Sequence, residues 1–86
     1  MNLEEQFKQA EADLMKLHHK PDNNTLLQLY SYHKQAMKGD APEKDPSGMF
    51  DLVGKAKFAA WASQRGRSSE ECMKSYIELV EKLKGK

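Results

Sequence analysis

Apolar residues recur at intervals of three and four along separate stretches of this chain, and nowhere do they alternate with period two over a strand's length. That periodicity confines the chain to helices that pack through one-sided apolar stripes. In the first stretch Leu3, Phe7, Ala10, Leu14 and Leu17 form one narrow stripe, with Asn2 and Glu5 marking a helix start and Lys20-Pro21 its end. The second begins after Asp22-Asn23-Asn24, whose short polar side chains can cap free backbone N–H groups. Its apolar face runs through Leu26, Leu29, Tyr30, His33 and Met37, and Gly39 is a natural stop.

Residues 39–50 hold Gly39, Pro42, Pro46 and Gly48 without periodicity, which predicts a loop. The third stretch, residues 51–64, is rich in alanine, and its Phe58 and Trp61 are expected in the core. Arg65-Gly66-Arg67 ends it. The fourth starts at Ser68, which with Glu71 can form a reciprocal capping box. Met73, Tyr76, Ile77, Val80 and Leu83 then supply a stripe, and Lys82, Lys84 and Lys86 complement the helix dipole at the C-terminal end. The predicted fold is all-α, a small bundle of four helices.

At 86 residues the chain reads as a single domain, residues 1–86. Its one cysteine, Cys72, excludes an intramolecular disulfide and a zinc site of several thiolates, and reads as a small buried apolar residue. The acidic, amphipathic N-terminus lacks a signal peptide's apolar run, and no stretch is long enough to span a bilayer. A cytoplasmic location is therefore expected, and Asn23-Asn24-Thr25 is read as an accidental glycosylation sequon. The absence of a heptad seam favours a monomer. A net charge of +1 is far from the strong basic excess of a nucleic-acid-binding domain, so no nucleic-acid partner is expected. Any bound anion must be held by a few placed residues rather than by the field of the whole chain.

Catalysis finds no support. The adjacent His18 and His19 point apart on a helix, His33 has no acidic or histidine partner at i+4, and no glycine-rich phosphate loop occurs. No metal or cofactor is expected. The unusual feature is a pair of segments, Tyr30-Ser31-Tyr32-His33-Lys34-Gln35-Ala36 and Gly54-Lys55-Ala56-Lys57-Phe58-Ala59-Ala60-Trp61, each placing lysines and aromatic rings on one helix. Lysine offers donors to an anion and an aromatic ring offers a flat face to a base, so the pair suggests a ligand both phosphorylated and aromatic. At about 100° per residue Leu27, Tyr30 and Lys34 share an arc of about 60°. Geometry alone reads Lys34 as a lysine whose stem covers apolar surface, and Lys57 as a solvated lysine.

The same two segments, with Gly39-Asp40 and Met73-Lys74-Ser75-Tyr76, resemble the acyl-CoA-binding protein family along essentially the whole chain. The resemblance implies a four-helix bundle that binds medium- to long-chain acyl-CoA esters without transforming them, as a buffer and carrier. It implies that Lys34 and Lys57 bind the 3′-phosphate of the adenosine moiety from two helices. Tyr30 would meet the phosphate region and line the acyl groove, Leu27 would line the acyl path, and Tyr76 would approach the adenine and ribose. His33 stands where the family commonly has a tyrosine against the adenine. Met15 and Val53 stand where lysines are common, and Phe58 where tryptophan is common. Acyl-CoA is then the partner, with only transient contact with membranes or acyl-CoA-using enzymes. So small a domain implies a surface groove, with the tail partly shielded by the nucleotide. Two other readings remain open on the residues: a helical module that takes a partner helix in its apolar groove, and an acyl-CoA thioesterase, for which no nucleophile and base can be named.

Overall fold

Each helix starts on a short polar side chain that accepts a hydrogen bond from the backbone three residues on. In the computed structural model, which describes residues 2–85, Asn2 caps α1 (Leu3–Met15) at 2.8 Å from the Glu5 N–H, and Asp22 caps α2 (Asn23–Lys38) at 2.7 Å from Thr25. Asp51 caps α3 (Leu52–Ala62) at 2.8 Å from Gly54, and Ser68 caps α4 (Ser69–Lys84) at 3.1 Å from Glu71. At α4 the Glu71 carboxylate also accepts from the Ser68 N–H at 3.2 Å, closing the expected capping box. The Asp51 cap explains the glycine that opens Gly54-Lys55-Ala56-Lys57: a Cβ at position 54 would collide with the Asp51 carboxylate.

The core lies between α1, α2 and α4. Helix α4 packs on both α1 and α2, whereas α3 packs on α2 alone. Phe7 and Ala10 from α1, Leu29 and Ala36 from α2, and Cys72, Tyr76 and Val80 from α4 are buried together. Phe7 meets Tyr76 edge to face, with centroids 4.9 Å apart. Burying side chains of this size contributes about 1.5–3 kcal/mol each. No residue of α3 is buried. That helix is held instead by polar tethers: the Trp61 indole N–H donates to the Gly39 carbonyl at 2.8 Å, and the Arg65 guanidinium donates to the carbonyls of Ala41 and Pro42. Buried Gln35 donates to Asp40 and to the Arg67 carbonyl, fastening the end of α2 to the α3–α4 turn. That turn closes through Gly66, whose φ of 87° suits glycine and whose N–H donates to Asp40.

Three expectations are corrected. Helix α1 ends at Met15, well before Lys20-Pro21, because the Lys16 and Leu17 N–H groups turn back to Asp13 and Leu14 in a tightened final turn. Met37 is 59% exposed, and α2 buries Ser31, Gln35 and Ala36 instead, since its inward face is set by α4. Phe58 and Trp61 are half-buried, because α3 has only α2 to pack against. Of the three lysines expected to serve the α4 dipole, Lys82 and Lys84 lie in its last turn, Lys84 pairing with Asp13 and Glu81, while Lys86 lies outside the described residues. Cys72 is fully buried, as expected.

Two outcomes follow from the packing. Ser68→Ala removes the hydroxyl of the capping box and should cost about 1 kcal/mol, read as a fall of about 4–8 °C in the midpoint of thermal unfolding. An unchanged midpoint would show that the α4 start is held by tertiary packing alone. Tyr76 sets an alkaline limit: burial first, and then the Glu11 charge, push its hydroxyl up to about 12. The unfolded chain ionises its tyrosines near pH 10, so the protonated native state loses stability as pH rises from about 10 to 12, by on the order of 2–3 kcal/mol. Tyr76→Phe keeps the ring and removes the ionisation, so its stability between pH 10 and 12 should decline less than that of the parent.

Candidate functional site

Because α3 is attached to α2 alone, the two helices enclose an open groove of about 430 Å³ rather than a filled interface. Leu26, Leu27 and Tyr30 line it from α2, and Val53, Ala56 and Lys57 from α3. Lys20 and Asn23 close the end where α2 begins. Just beyond Val53, itself 67% exposed, the side chains of Met49, Phe50 and Leu52 stand 76–91% exposed. The groove walls are therefore mostly apolar, and the chain that leads into α3 exposes further apolar side chains. The molecule is thin, with Cα extents of 39 × 28 × 15 Å, so a recess of this kind can only be a surface channel.

The two lysines singled out in the sequence sit over aromatic rings. Lys57 Nζ, on α3, lies 5.5 Å from the ring centroid of Tyr30 on α2. Lys34 Nζ, on α2, lies 4.8 Å from the Trp61 ring on α3. The two helices thus exchange a cation for a ring in both directions. Among the described residues neither ammonium is paired with a carboxylate, whereas Lys55 reaches Asp45 and Lys84 reaches Asp13. Attraction to a ring face positions an ammonium without neutralising it.

The six residues expected at the site fall into two adjoining groups. Leu27, Tyr30 and Lys57 line the groove together. His33 and Tyr76 lie on the side of α2 that faces α1 and α4, where His33 stacks on Phe7 at 5.5 Å and is tilted against Tyr76 at 6.1 Å. Lys34 follows His33 in sequence and reaches back toward α3. Tyr76 is only 4% exposed, so it supports the His33 ring from beneath more than it presents a surface of its own. Lys20, Asn23 and Leu26 were missed as lining residues: Lys20-Pro21 and Asn23 were read only as helix punctuation, and Leu26 as core.

Other recesses lack the lysine–ring contacts that join α2 and α3. One of about 550 Å³ between the starts of α1 and α4 is bordered by Glu4 and Glu70. Two at the far ends of α1 and α4 are lined by Lys84 and Asp13, which pair with each other, and one of these two is also bordered by Lys16, His18 and His19. Among the described residues no group of three His, Cys, Asp or Glu side chains could hold a metal ion, and no helix is long and apolar enough to cross a membrane.

Comparison with known proteins agrees with the resemblance in the motifs. Residues 4–80 match the family model described as Acyl CoA binding protein. The chain is 47% identical over 83 residues to the acyl-CoA-binding protein homolog of Manduca sexta, covering 96% of this chain and 92% of that one. It is 43% identical over 77 residues to acyl-CoA-binding protein homolog 1 of Caenorhabditis elegans, covering 90% and 88%. The fold superimposes on the crystal structure of Oryza sativa acyl-CoA-binding protein 2 with a TM-score of 0.87, at 32% identity and with 98% and 92% of the two chains covered. It also matches the crystal structure of ACBP from Moniliophthora perniciosa with a TM-score of 0.84, at 33% identity over 96% and 80%. The chain belongs to the acyl-CoA-binding protein family.

Proposed function

We propose that this protein binds medium- to long-chain acyl-CoA esters non-catalytically and serves as their cytoplasmic buffer and carrier, acting as a monomer. The observation that carries the reading is the pair of carboxylate-free lysines, each over a ring of the opposite helix, beside an apolar groove. Acyl-CoA is polyanionic at one end and apolar at the other, and the site offers these two characters side by side. In this reading Lys34 and Lys57 converge on the 3′-phosphate, His33 offers a ring to the adenine, and Tyr76 backs that ring. Tyr30 lies between nucleotide and tail, which runs along Leu26, Leu27, Val53 and Ala56.

The magnitudes assign the parts. Charge-assisted hydrogen bonds contribute about 1.5–3 kcal/mol each, less where water screens them, whereas each buried methylene contributes about 0.8 kcal/mol. A palmitoyl-length tail thus has gross burial on the order of 10 kcal/mol before ordering and association costs. The nucleotide end sets orientation and the tail sets most of the affinity. The thiol of Cys72 is no candidate nucleophile for thioester cleavage, being fully buried with its pKa pushed up by that burial.

Calorimetric titration should therefore give affinity that climbs from octanoyl-CoA to palmitoyl-CoA. Lys34→Ala and Lys57→Ala should each weaken both ligands by roughly tenfold or more. Equal, weak binding of both chain lengths to the parent would sink the proposal. Val53→Asp, which places a charge on the groove wall, should weaken palmitoyl-CoA much more than octanoyl-CoA; equal losses would move the tail elsewhere. During these titrations the thioester should stay intact, and steady release of free CoA would overturn the non-catalytic reading.

A further inference from the structure

His33 does not stand alone beside Phe7 and Tyr76. Its Nε2 lies 2.8 Å from Oε1 of Glu11, a residue of α1 that belongs to none of the motifs. The two side chains are 41% and 38% exposed, so the pair sits at the surface, open to both solvent and ligand. Stacking on Phe7 at an interplanar angle of 29° restrains the face of the ring, and Glu11 restrains its edge. Histidine is otherwise free to swing about two side-chain torsions, so the carboxylate turns a mobile ring into an oriented one.

We propose that Glu11 is a positioning residue of the nucleotide end of the ligand site, acting through His33, and that the pair makes ligand binding tighter on the acid side of neutrality. This rests on the acyl-CoA reading above. With His33 neutral, Nε2–H donates to Glu11 and the pair carries one negative charge next to the proposed seat of a polyanion. With His33 protonated, the same contact is an ion pair of zero net charge, and the repulsion is gone. By linkage, an anionic ligand that favours the protonated pair must bind more tightly where that form is populated. The groups facing His33 leave this sign intact. From α1 they are Glu11 and uncharged Phe7; from α4 it is Tyr76, which stays neutral across the physiological range; on α2 itself Lys34 is turned to Trp61.

The test is palmitoyl-CoA affinity at pH 6 and pH 8 for the parent, Glu11→Gln, Glu11→Ala and His33→Tyr, with thermal melts to establish that each is folded. The ligand's own phosphates titrate identically in all four, so the informative quantity is the difference between proteins. The pH 6 to pH 8 affinity ratio of the parent should exceed that of His33→Tyr by roughly two- to fivefold, the range open to a half-exposed ion pair. Glu11→Gln keeps an oxygen that accepts from Nε2–H and removes the charge, so at pH 8 it should bind at least as tightly as the parent. Glu11→Ala frees the ring and should bind more weakly than Glu11→Gln at both pH values. Equal ratios in the parent and His33→Tyr would overturn the coupling, and equal affinities of Glu11→Gln and Glu11→Ala would overturn the positioning role. Failure of the parent to bind palmitoyl-CoA at either pH would instead overturn the acyl-CoA reading itself.

Discussion

Packing of α4 into the angle between α1 and α2 uses one side of α2 completely, and what covers its other side decides the character of the molecule. Leu29, Ser31, Gln35 and Ala36 are the buried residues of α2, and the buried residues of α4 and α1 complete that core. The opposite side, bearing Leu27, Tyr30 and Lys34, is left to α3. Helix α3 has eleven residues, its four alanines and its one glycine are too small to reach across, and none of its residues is buried. Its two lysine–ring contacts and its polar tethers place it without closing the gap. The groove therefore exists because one of four helices is held by lysine–ring contacts and by tethers at its C-terminal end rather than by buried side chains.

The same division accounts for what was legible in the sequence. Caps act over three residues, so Asn2, Asp22 and the Ser68–Glu71 box could be read directly, and the Asp51 cap shows why Gly54 follows it. The end of α1 has no such local marker: Lys16 closes it through ordinary backbone bonds, and the proline farther on only bounds where it must already have ended. Burial on α2 and α3 was misread at Met37, Phe58 and Trp61 because periodicity gives a face but not its partner. Trp61 finds a lysine and a carbonyl there in place of a core.

The candidate site was legible only in part, and for a related reason. Turn-by-turn geometry read Lys34 as a lysine covering apolar surface and Lys57 as a solvated one. What distinguishes them from solvated lysines is a ring on the other helix, and no spacing within one helix reports that. The pair of segments carried the information through their joint resemblance to a family. Glu11 is the opposite case: it meets His33 across 22 residues of sequence and shares no motif with it, so only the folded chain brings the two together.

Resting a cation on a ring rather than on a carboxylate is also what keeps such a site ready for use. A lysine held by an acid, as Lys84 is by Asp13, must give up a charged partner before it can serve a phosphate. The displaced carboxylate would then stand as a like charge beside the ligand. A lysine over Tyr30 or Trp61 gives up about 0.5–1 kcal/mol at a half-exposed site and leaves behind a neutral ring. Against a charge-assisted hydrogen bond of about 1.5–3 kcal/mol, that exchange favours the ligand. The ring remains useful after the cation has moved, since its face is then free to cover apolar or aromatic parts of what has bound. In a chain of net charge +1, which has no long-range field to draw an anion in, the proposed site depends on local readiness of this kind.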